Sequence, residues 1–190
     1  MGRTSGPGSY GRQCVAKAKI LNSIIDSLRI ESIVEFGCGD GNQLTHYDIP
    51  RYLGFDVSET AVRMCMEQFS DDETKGFLHY TPSVFDNRTK LISGDAAMSV
   101  DVIFHLVEDP VYRKYMDDLF SCARRLVIIS SSNHTDQGGK GVQHVRHRKF
   151  VDDVAAWYPD WTLIAEHPVE SIDGKDIDSF YVFRRSAPDS

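Results

Sequence analysis

Hydrophobic and polar positions along the chain follow two periods, one typical of amphipathic helices and one typical of buried strands. Within residues 13–30 the apolar positions recur at helical spacing, at Ala18, Leu21, Ile25 and Leu28. Residues 32–36 form a short apolar run of strand length, which ends at Gly37. The pattern therefore predicts that the chain opens with a helix and a buried strand.

The same two patterns alternate along most of the remaining chain. Further strands are predicted over residues 51–57, 76–80, 96–100 and 125–130. One helix is predicted after Gly41 and a second over residues 59–69, with Ser58 as its N-cap. Two further helices are predicted, one from Pro110 onward and one over residues 150–158. The helix that starts at Pro110 has a predicted buried face at Val111, Tyr115, Leu119 and Ala123.

Two more strands, over residues 161–167 and 177–184, close the chain without a helix between them. The dipeptide Asp173-Gly174 lies between them and is typical of hairpin turns. Strands that alternate with helices form a mostly parallel sheet covered on both faces. The predicted fold class is therefore α/β, a doubly wound, mostly parallel seven-stranded sheet with an antiparallel C-terminal hairpin. We expect one domain over residues 1–190, with the Gly- and Ser-rich residues 1–12 as a flexible segment or lid.

Composition narrows the class of protein. A chain of 190 residues with 41% hydrophobic residues is long enough to bury one core. Its net charge of −7 disfavours a nucleic-acid partner. Four cysteines without a Cys-x-x-Cys pair are typical of reduced thiols, and no apolar run has membrane-spanning length. We expect a cytoplasmic protein with no membrane association and no metal site.

The most informative segment is the glycine turn Gly37-x-Gly39-x-Gly41, which follows the first strand directly. Glycines let the backbone turn tightly and approach a ligand at the carboxyl end of a strand. Dinucleotide sites use such turns too, but their fingerprint requires Gly or Ala where this chain has Asn42. Glu35 precedes the turn, and Asp56 ends the next strand, where a carboxylate can bind ribose hydroxyls. The segment predicts a nucleoside ligand.

Four segments resemble the class I S-adenosylmethionine (SAM)-dependent methyltransferases. Residues 35–41 look like their glycine motif and residues 54–58 like their acidic second-strand motif, while residues 96–106 and 124–130 are similar to their fourth and fifth strands. The resemblance implies a Rossmann-like methyltransferase fold and SAM as cofactor. It implies a cofactor site formed by Glu35, Gly37, Cys38, Gly39, Asn42, Asp56, Val57 and Ser99. The acid that many relatives place after the third strand has no clear counterpart, and residues 81–86 are the expected place.

A narrower resemblance concerns residues 5–11, 105–109 and 144–148, which look like a small bacterial subgroup of uncharacterised methyltransferases. Some members of that subgroup are suspected of acting on sugars or glycans. Residues 6–11 could be a cloning remnant, but Tyr10, Arg12 and this resemblance favour a natural segment. The resemblance suggests a small-molecule or glycan acceptor for this chain.

Candidate acceptor-side residues follow the fourth and fifth strands. His105 is a candidate base near neutral pH, with the alternative that it is a structural histidine, and Asp101 is a second catalytic candidate. Asp101 and the acids at residues 108–109 are also typical of helix caps. A predicted clamp for an anionic or hydroxyl-rich acceptor comprises His144, Arg146, His147 and Arg148, together with Tyr10 and Arg12 from the N-terminal segment. The alternative is a solvated basic loop.

The sequence thus predicts an enzyme that transfers a methyl group from SAM to an oxygen or nitrogen atom of a small-molecule or glycan acceptor. One alternative is a SAM-binding regulator without activity, because fold does not fix function. A less favoured alternative is an NAD(P)-linked reductase. The sequence does not predict the oligomeric state.

Overall fold

The computed structural model describes residues 11–137, 144–169 and 178–186. The first helix, α1 (Gly11–Ser27), begins two residues before its predicted start, so Arg12 belongs to the helix and not to the N-terminal segment. Tyr10 and the predicted turn at residues 173–174 lie outside the described residues. None of the helices in these ranges combines the length and the apolar character that a membrane span requires.

The predicted alternation of strands and helices is confirmed. The strands are β1 (Ser32–Phe36), β2 (Arg51–Asp56), β3 (Lys75–His79), β4 (Gly94–Val100), β5 (Ala123–Ser131), β6 (Trp161–Pro168) and β7 (Ser179–Arg185). The remaining helices are α2 (Glu59–Gln68), α3 (Asp109–Ser121) and α4 (Phe150–Trp157). Ser58 caps α2 as predicted, because its hydroxyl accepts a hydrogen bond from the Ala61 amide.

The seven strands form one sheet in the order β3-β2-β1-β4-β5-β7-β6. The first five strands of that order are parallel to one another. Strand β7 is antiparallel to both β5 and β6. The expected mostly parallel, seven-stranded sheet with an antiparallel end is therefore confirmed.

Alternate strand residues face two separate cores. Ile33 in β1 packs in a cluster with Leu21 of α1 and Val62 of α2. Val34, the next residue of β1, packs in a second cluster with Leu119 of α3 and Phe150 of α4. Because neighbouring strand residues point to opposite faces, each face of the sheet is covered by its own pair of helices.

Two predicted details are wrong. The segment after the glycine turn is a single 3-10 turn, Gln43–His46, and not a longer helix, because fewer than ten residues separate Gly41 from the start of β2. The predicted buried face of α3 is confirmed at Tyr115 and Leu119, but at the start of the helix Tyr112 is buried and Val111 is exposed. Ala123 begins β5 and is not part of the helix.

Candidate active site

A cavity of about 650 Å³ opens at the carboxyl ends of β1, β2 and β4. Strand β1 lies between β2 and β4 in the sheet. The chain runs outward from β1 through β2 and β3 on one side, and β4 then pairs with the other side of β1. Crevices at such crossover points are where doubly wound sheets bind ligands. Predicted cofactor residues that line the cavity are Glu35, Gly37, Cys38, Gly39, Asp56 and Val57.

The glycine turn forms one wall of the cavity. Gly37 has a φ of +87°, a left-handed conformation that favours glycine. A Cβ atom at residue 37 would lie 2.3 Å from the Cγ2 atom of Val102. The Gly37 and Cys38 amides both donate to the Phe55 carbonyl, at 2.7 and 3.0 Å. The turn therefore requires glycine here both for its backbone conformation and for space.

Asp56 is fixed at the end of β2 by two backbone amides. Its Oδ2 atom accepts from the Gly39 amide at 2.9 Å, and its Oδ1 atom accepts from the Ser58 amide at 2.8 Å. Each carboxylate oxygen retains capacity for another hydrogen bond. The two oriented carboxylate oxygens of Asp56 can therefore accept hydrogen bonds from a pair of vicinal hydroxyls in the cavity.

Glu35 is buried in the floor of the cavity and accepts a hydrogen bond from the Tyr52 hydroxyl. Burial raises the pKa of Glu35 from its ordinary 4.5 to about 8, against the opposing effect of the Tyr52 hydrogen bond. The nearby negative charges of Asp56 and Asp101 are smaller contributions to the same rise in the pKa. Glu35 is consequently protonated at neutral pH in the absence of a cationic ligand.

Two predicted cofactor residues lie outside the cavity. Ser99 is fully buried, and its hydroxyl lies 2.7 Å from the Tyr115 hydroxyl, which donates to the Phe36 carbonyl. Its side chain faces this internal hydrogen-bonded chain and not the ligand space. Asn42 precedes the 3-10 turn, where its carbonyl accepts from the Thr45 hydroxyl at 2.7 Å, and it is not among the lining residues.

Lys17 is a cavity residue that the sequence analysis missed. Its side chain is 1% exposed, and its ammonium group lies 2.5 Å from Asp101 and 3.8 Å from Asp178. All three residues line the cavity. The available signal was a lysine on the apolar face of α1, four residues before Leu21. The predicted catalytic residue Asp101 is therefore the partner of a buried cation.

The acceptor side of the cavity is formed by the residues after β4. His105 ends the 3-10 turn Ile103–His105 and lines the cavity with Phe104, Leu106 and Val111. The His105 Nδ1 atom lies 3.3 Å from the His144 carbonyl oxygen. The structure thus places the predicted base at the cavity, between apolar side chains.

The two arginines of the predicted clamp contact the start of α3 and not the cavity. In the β5–α4 loop, Arg146 and Arg148 form ion pairs with Asp109 at 2.8 and 3.2 Å. The Arg148 guanidinium group also stacks over the Tyr112 ring, 4.3 Å from its centroid. Neither arginine lines the cavity. Both cations pair with the start of α3, and binding of an anionic or hydroxyl-rich acceptor by this loop stays a prediction.

The other predicted acceptor residues are also outside the cavity lining. The His147 Nδ1 atom lies 2.6 Å from the Ser132 hydroxyl, and the His147 main chain pairs with the Gln137 side chain. His144 contributes its carbonyl to His105. Arg12 is exposed on α1 and is not among the lining residues.

The expected place for a third-strand acid does not supply one to the cavity. Pro82 and Tyr80 line the cavity after β3. Asp86 is exposed and forms a 2.5 Å ion pair with Arg88. This end of the cavity is therefore walled by an apolar and an aromatic side chain.

The fold is that of SAM-dependent methyltransferases of known structure. The methyltransferase domain of bacterial CtHen1-C aligns with a TM-score of 0.70 at 18% identity, covering 91% of this chain and 98% of that one. The N-methyltransferase NodS from Bradyrhizobium japonicum WM9, in complex with S-adenosyl-L-homocysteine (SAH), gives 0.72 at 14% identity over 94% and 87% of the two chains. Magnesium protoporphyrin IX methyltransferase from Synechocystis PCC 6803, with bound SAH, gives 0.67 at 14% identity over 90% and 84%.

Likeness at these identities establishes the shared fold. A scan against known protein families finds no match, and a search of curated protein sequences finds none either.

Proposed function

We propose that this protein is a SAM-dependent methyltransferase. The observation that carries the proposal is the Asp56 carboxylate, held by two amides beside the glycine turn at the strand crossover point. Solved structures with the same fold contain SAM or SAH. The cavity of about 650 Å³ has room for SAM together with a small acceptor.

The lining residues suggest how SAM lies in the cavity. Asp56 binds the ribose hydroxyls, and Val57 and Pro82 pack against the adenine. Glu35 accepts from the methionine ammonium group. SAM carries two cationic groups and one carboxylate at neutral pH. Its net positive charge therefore suits a cavity in which Lys17 is the only Lys or Arg among the described lining residues.

The acceptor is proposed to be an uncharged or cationic molecule that presents a hydroxyl or amine. Arg146 and Arg148 are engaged by Asp109, so an anionic group would find no guanidinium partner among the described cavity residues. The walls near His105 include Phe104 and Leu106, which favour a ring or other apolar surface beside the reacting atom. Both a sugar ring and a small aromatic molecule meet this description.

Catalysis rests on positioning of the acceptor against the methyl group. The acceptor lone pair attacks the sulfonium methyl carbon in line with the carbon–sulfur bond, whose electrons return to sulfur and release SAH. The acceptor proton passes to His105.

Calorimetry of the purified chain with SAM, SAH and NAD tests the cofactor. We expect SAM and SAH to bind and Asp56→Asn to weaken both by about tenfold or more, since hydrogen bonds to a charged group contribute about 1.5–3 kcal/mol. Asp86→Asn is the matched control, because this exposed carboxylate follows the neighbouring strand and faces Arg88. Binding of NAD without SAM would overturn the proposal.

Activity is tested by incubating the protein with methyl-labelled SAM and extracts of the source cell, then searching for products heavier by one methyl group. We expect the label in neutral or basic compounds. Label found chiefly in phosphorylated or carboxylated compounds would refute the acceptor class. A chain that binds SAM and labels nothing across extracts and a broad acceptor panel would be a SAM-binding regulator.

A further inference from the structure

The turn that carries His105 is held in place by the β5–α4 loop. The Arg146 amide donates to the Phe104 carbonyl at 2.7 Å. The Arg146 and Arg148 guanidinium groups both donate to the Val107 carbonyl, at 2.8 and 2.9 Å. The loop therefore fixes the main chain on each side of His105.

A hydrogen bond to the main chain determines which ring nitrogen of His105 carries the proton. Its Nδ1 atom lies 3.3 Å from the His144 carbonyl oxygen. Because a carbonyl oxygen can only accept, Nδ1 must carry the proton of this hydrogen bond. Neutral imidazole has one ring proton, so Nε2 retains a free lone pair. Within the described part of the chain no hydrogen bond engages Nε2, and His105 lines the cavity.

We propose that the His144 carbonyl holds neutral His105 in the Nδ1–H tautomer and so makes Nε2 the atom that accepts the proton of the methyl acceptor. The base role rests on the proposed function, whereas the tautomer does not. In the reaction the acceptor O–H or N–H bond breaks as the Nε2–H bond forms. At the same time the acceptor bonds to the methyl carbon, and SAH leaves with the electron pair of the broken carbon–sulfur bond.

Arg146 and Arg148 are positioning residues in this arrangement. Both contact Asp109 and the Val107 carbonyl, so they act on the His105 turn and not on the acceptor. The Arg148 side chain is 11% exposed, and its stacking on Tyr112 adds a contact with α3. This explains why a basic run beside the site contributes no cation to the cavity.

The tautomer can be read without knowing the acceptor. Long-range ¹H–¹⁵N correlation spectra are recorded on the full chain labelled with ¹⁵N-histidine, free and with SAH, at a pH where histidine is neutral. The His105 signals are assigned by their loss in His105→Gln. We expect a protonated Nδ1 and an unprotonated Nε2. A neutral His105 with its proton on Nε2, the tautomer favoured in free histidine, would overturn the proposal.

The positioning role is tested with Arg146→Met/Arg148→Met and with the milder Asp109→Asn. We expect the Nδ1–H to Nε2–H ratio to fall about fivefold, the effect of losing one hydrogen bond of ordinary strength. Arg113→Met is the matched control, because Arg113 also pairs with a carboxylate, that of Asp117, and stacks on an aromatic ring, that of Trp157. An unchanged ratio in folded variants, checked by circular dichroism, refutes the positioning role.

Failure of the inference and failure of the proposed function can be distinguished. If SAH does not bind the wild-type chain, the proposed function fails, while the His105 tautomer is still measured in the free protein. If SAH binds and the neutral ring carries its proton on Nε2, the proposed function stands and the inference fails.

Discussion

Replacing Glu35 by Gln should change how the stability of the protein depends on pH. The Glu35 side chain is 4% exposed, and burial raises its pKa from 4.5 to about 8. Glutamine keeps the shape and can accept the Tyr52 hydrogen bond, but it cannot ionise. The substitution therefore removes one titration and little else.

The sign follows from proton linkage. Between pH 4.5 and about pH 8 the folded chain holds a proton on Glu35 that the unfolded chain has released. The free energy of unfolding consequently falls as pH rises through this window, by about 1.4 kcal/mol per pH unit from this group. Between about pH 5.5 and pH 7.5 the loss is about 3 kcal/mol, a large part of a typical domain stability of about 5–15 kcal/mol.

Urea unfolding of the ligand-free protein across this pH range measures the effect. The difference in unfolding free energy between Glu35→Gln and wild type should grow with pH by about 3 kcal/mol over about two pH units. Glu31→Gln is the control, because this nearby glutamate is 76% exposed and should leave the pH profile parallel to wild type. Parallel profiles for Glu35→Gln and wild type would refute the reasoning that Glu35 is protonated in the fold.

Two other predictions concern residues that shape the same cavity. Lys17→Met should lower the unfolding free energy by about 2 kcal/mol, because it leaves the Asp101 carboxylate without its cation. In a urea double-mutant cycle, Lys17→Met/Asp101→Asn should recover part of this loss. Additive effects would contradict the pairing. Gly37→Ala should cost at least about 1–3 kcal/mol for its φ of +87° and abolish SAH binding in calorimetry. Because the new Cβ atom would meet Val102, Gly37→Ala/Val102→Ala should restore part of the stability, and no recovery would mean that backbone strain dominates.

The sheet was predictable from the sequence because its signals are local. Residues 32–36 and 125–130 are apolar runs of strand length, and their predicted bounds lie within β1 and β5. The glycine turn was predictable because left-handed backbone and close approach require glycine at particular places. The helix expected after that turn failed, because local pattern does not reveal that the chain returns to β2 within a few residues.

The ion pairs in and beside the cavity could not be predicted because they join distant parts of the chain. Lys17 and Asp101 are 84 residues apart, and Arg146 and Asp109 are 37 residues apart. A basic run has the same sequence pattern whether its charges face a ligand or a carboxylate of the same chain. Only the folded arrangement distinguishes the two possibilities.

This difference between the two sides of the cavity has a physical origin. The cofactor side is formed by the ends of adjacent strands, whose positions follow from sheet register, so Glu35 and Asp56 come together wherever β1 and β2 pair. The acceptor side is formed by the turn after β4, which has no register and needs tertiary contacts to hold it. In this chain the β5–α4 loop uses its arginines for that purpose, through Asp109 and the Val107 carbonyl. Because these arginines hold the His105 turn in place and do not face the cavity, the site should select its acceptor by shape and by proton transfer, and not by attraction to an anion.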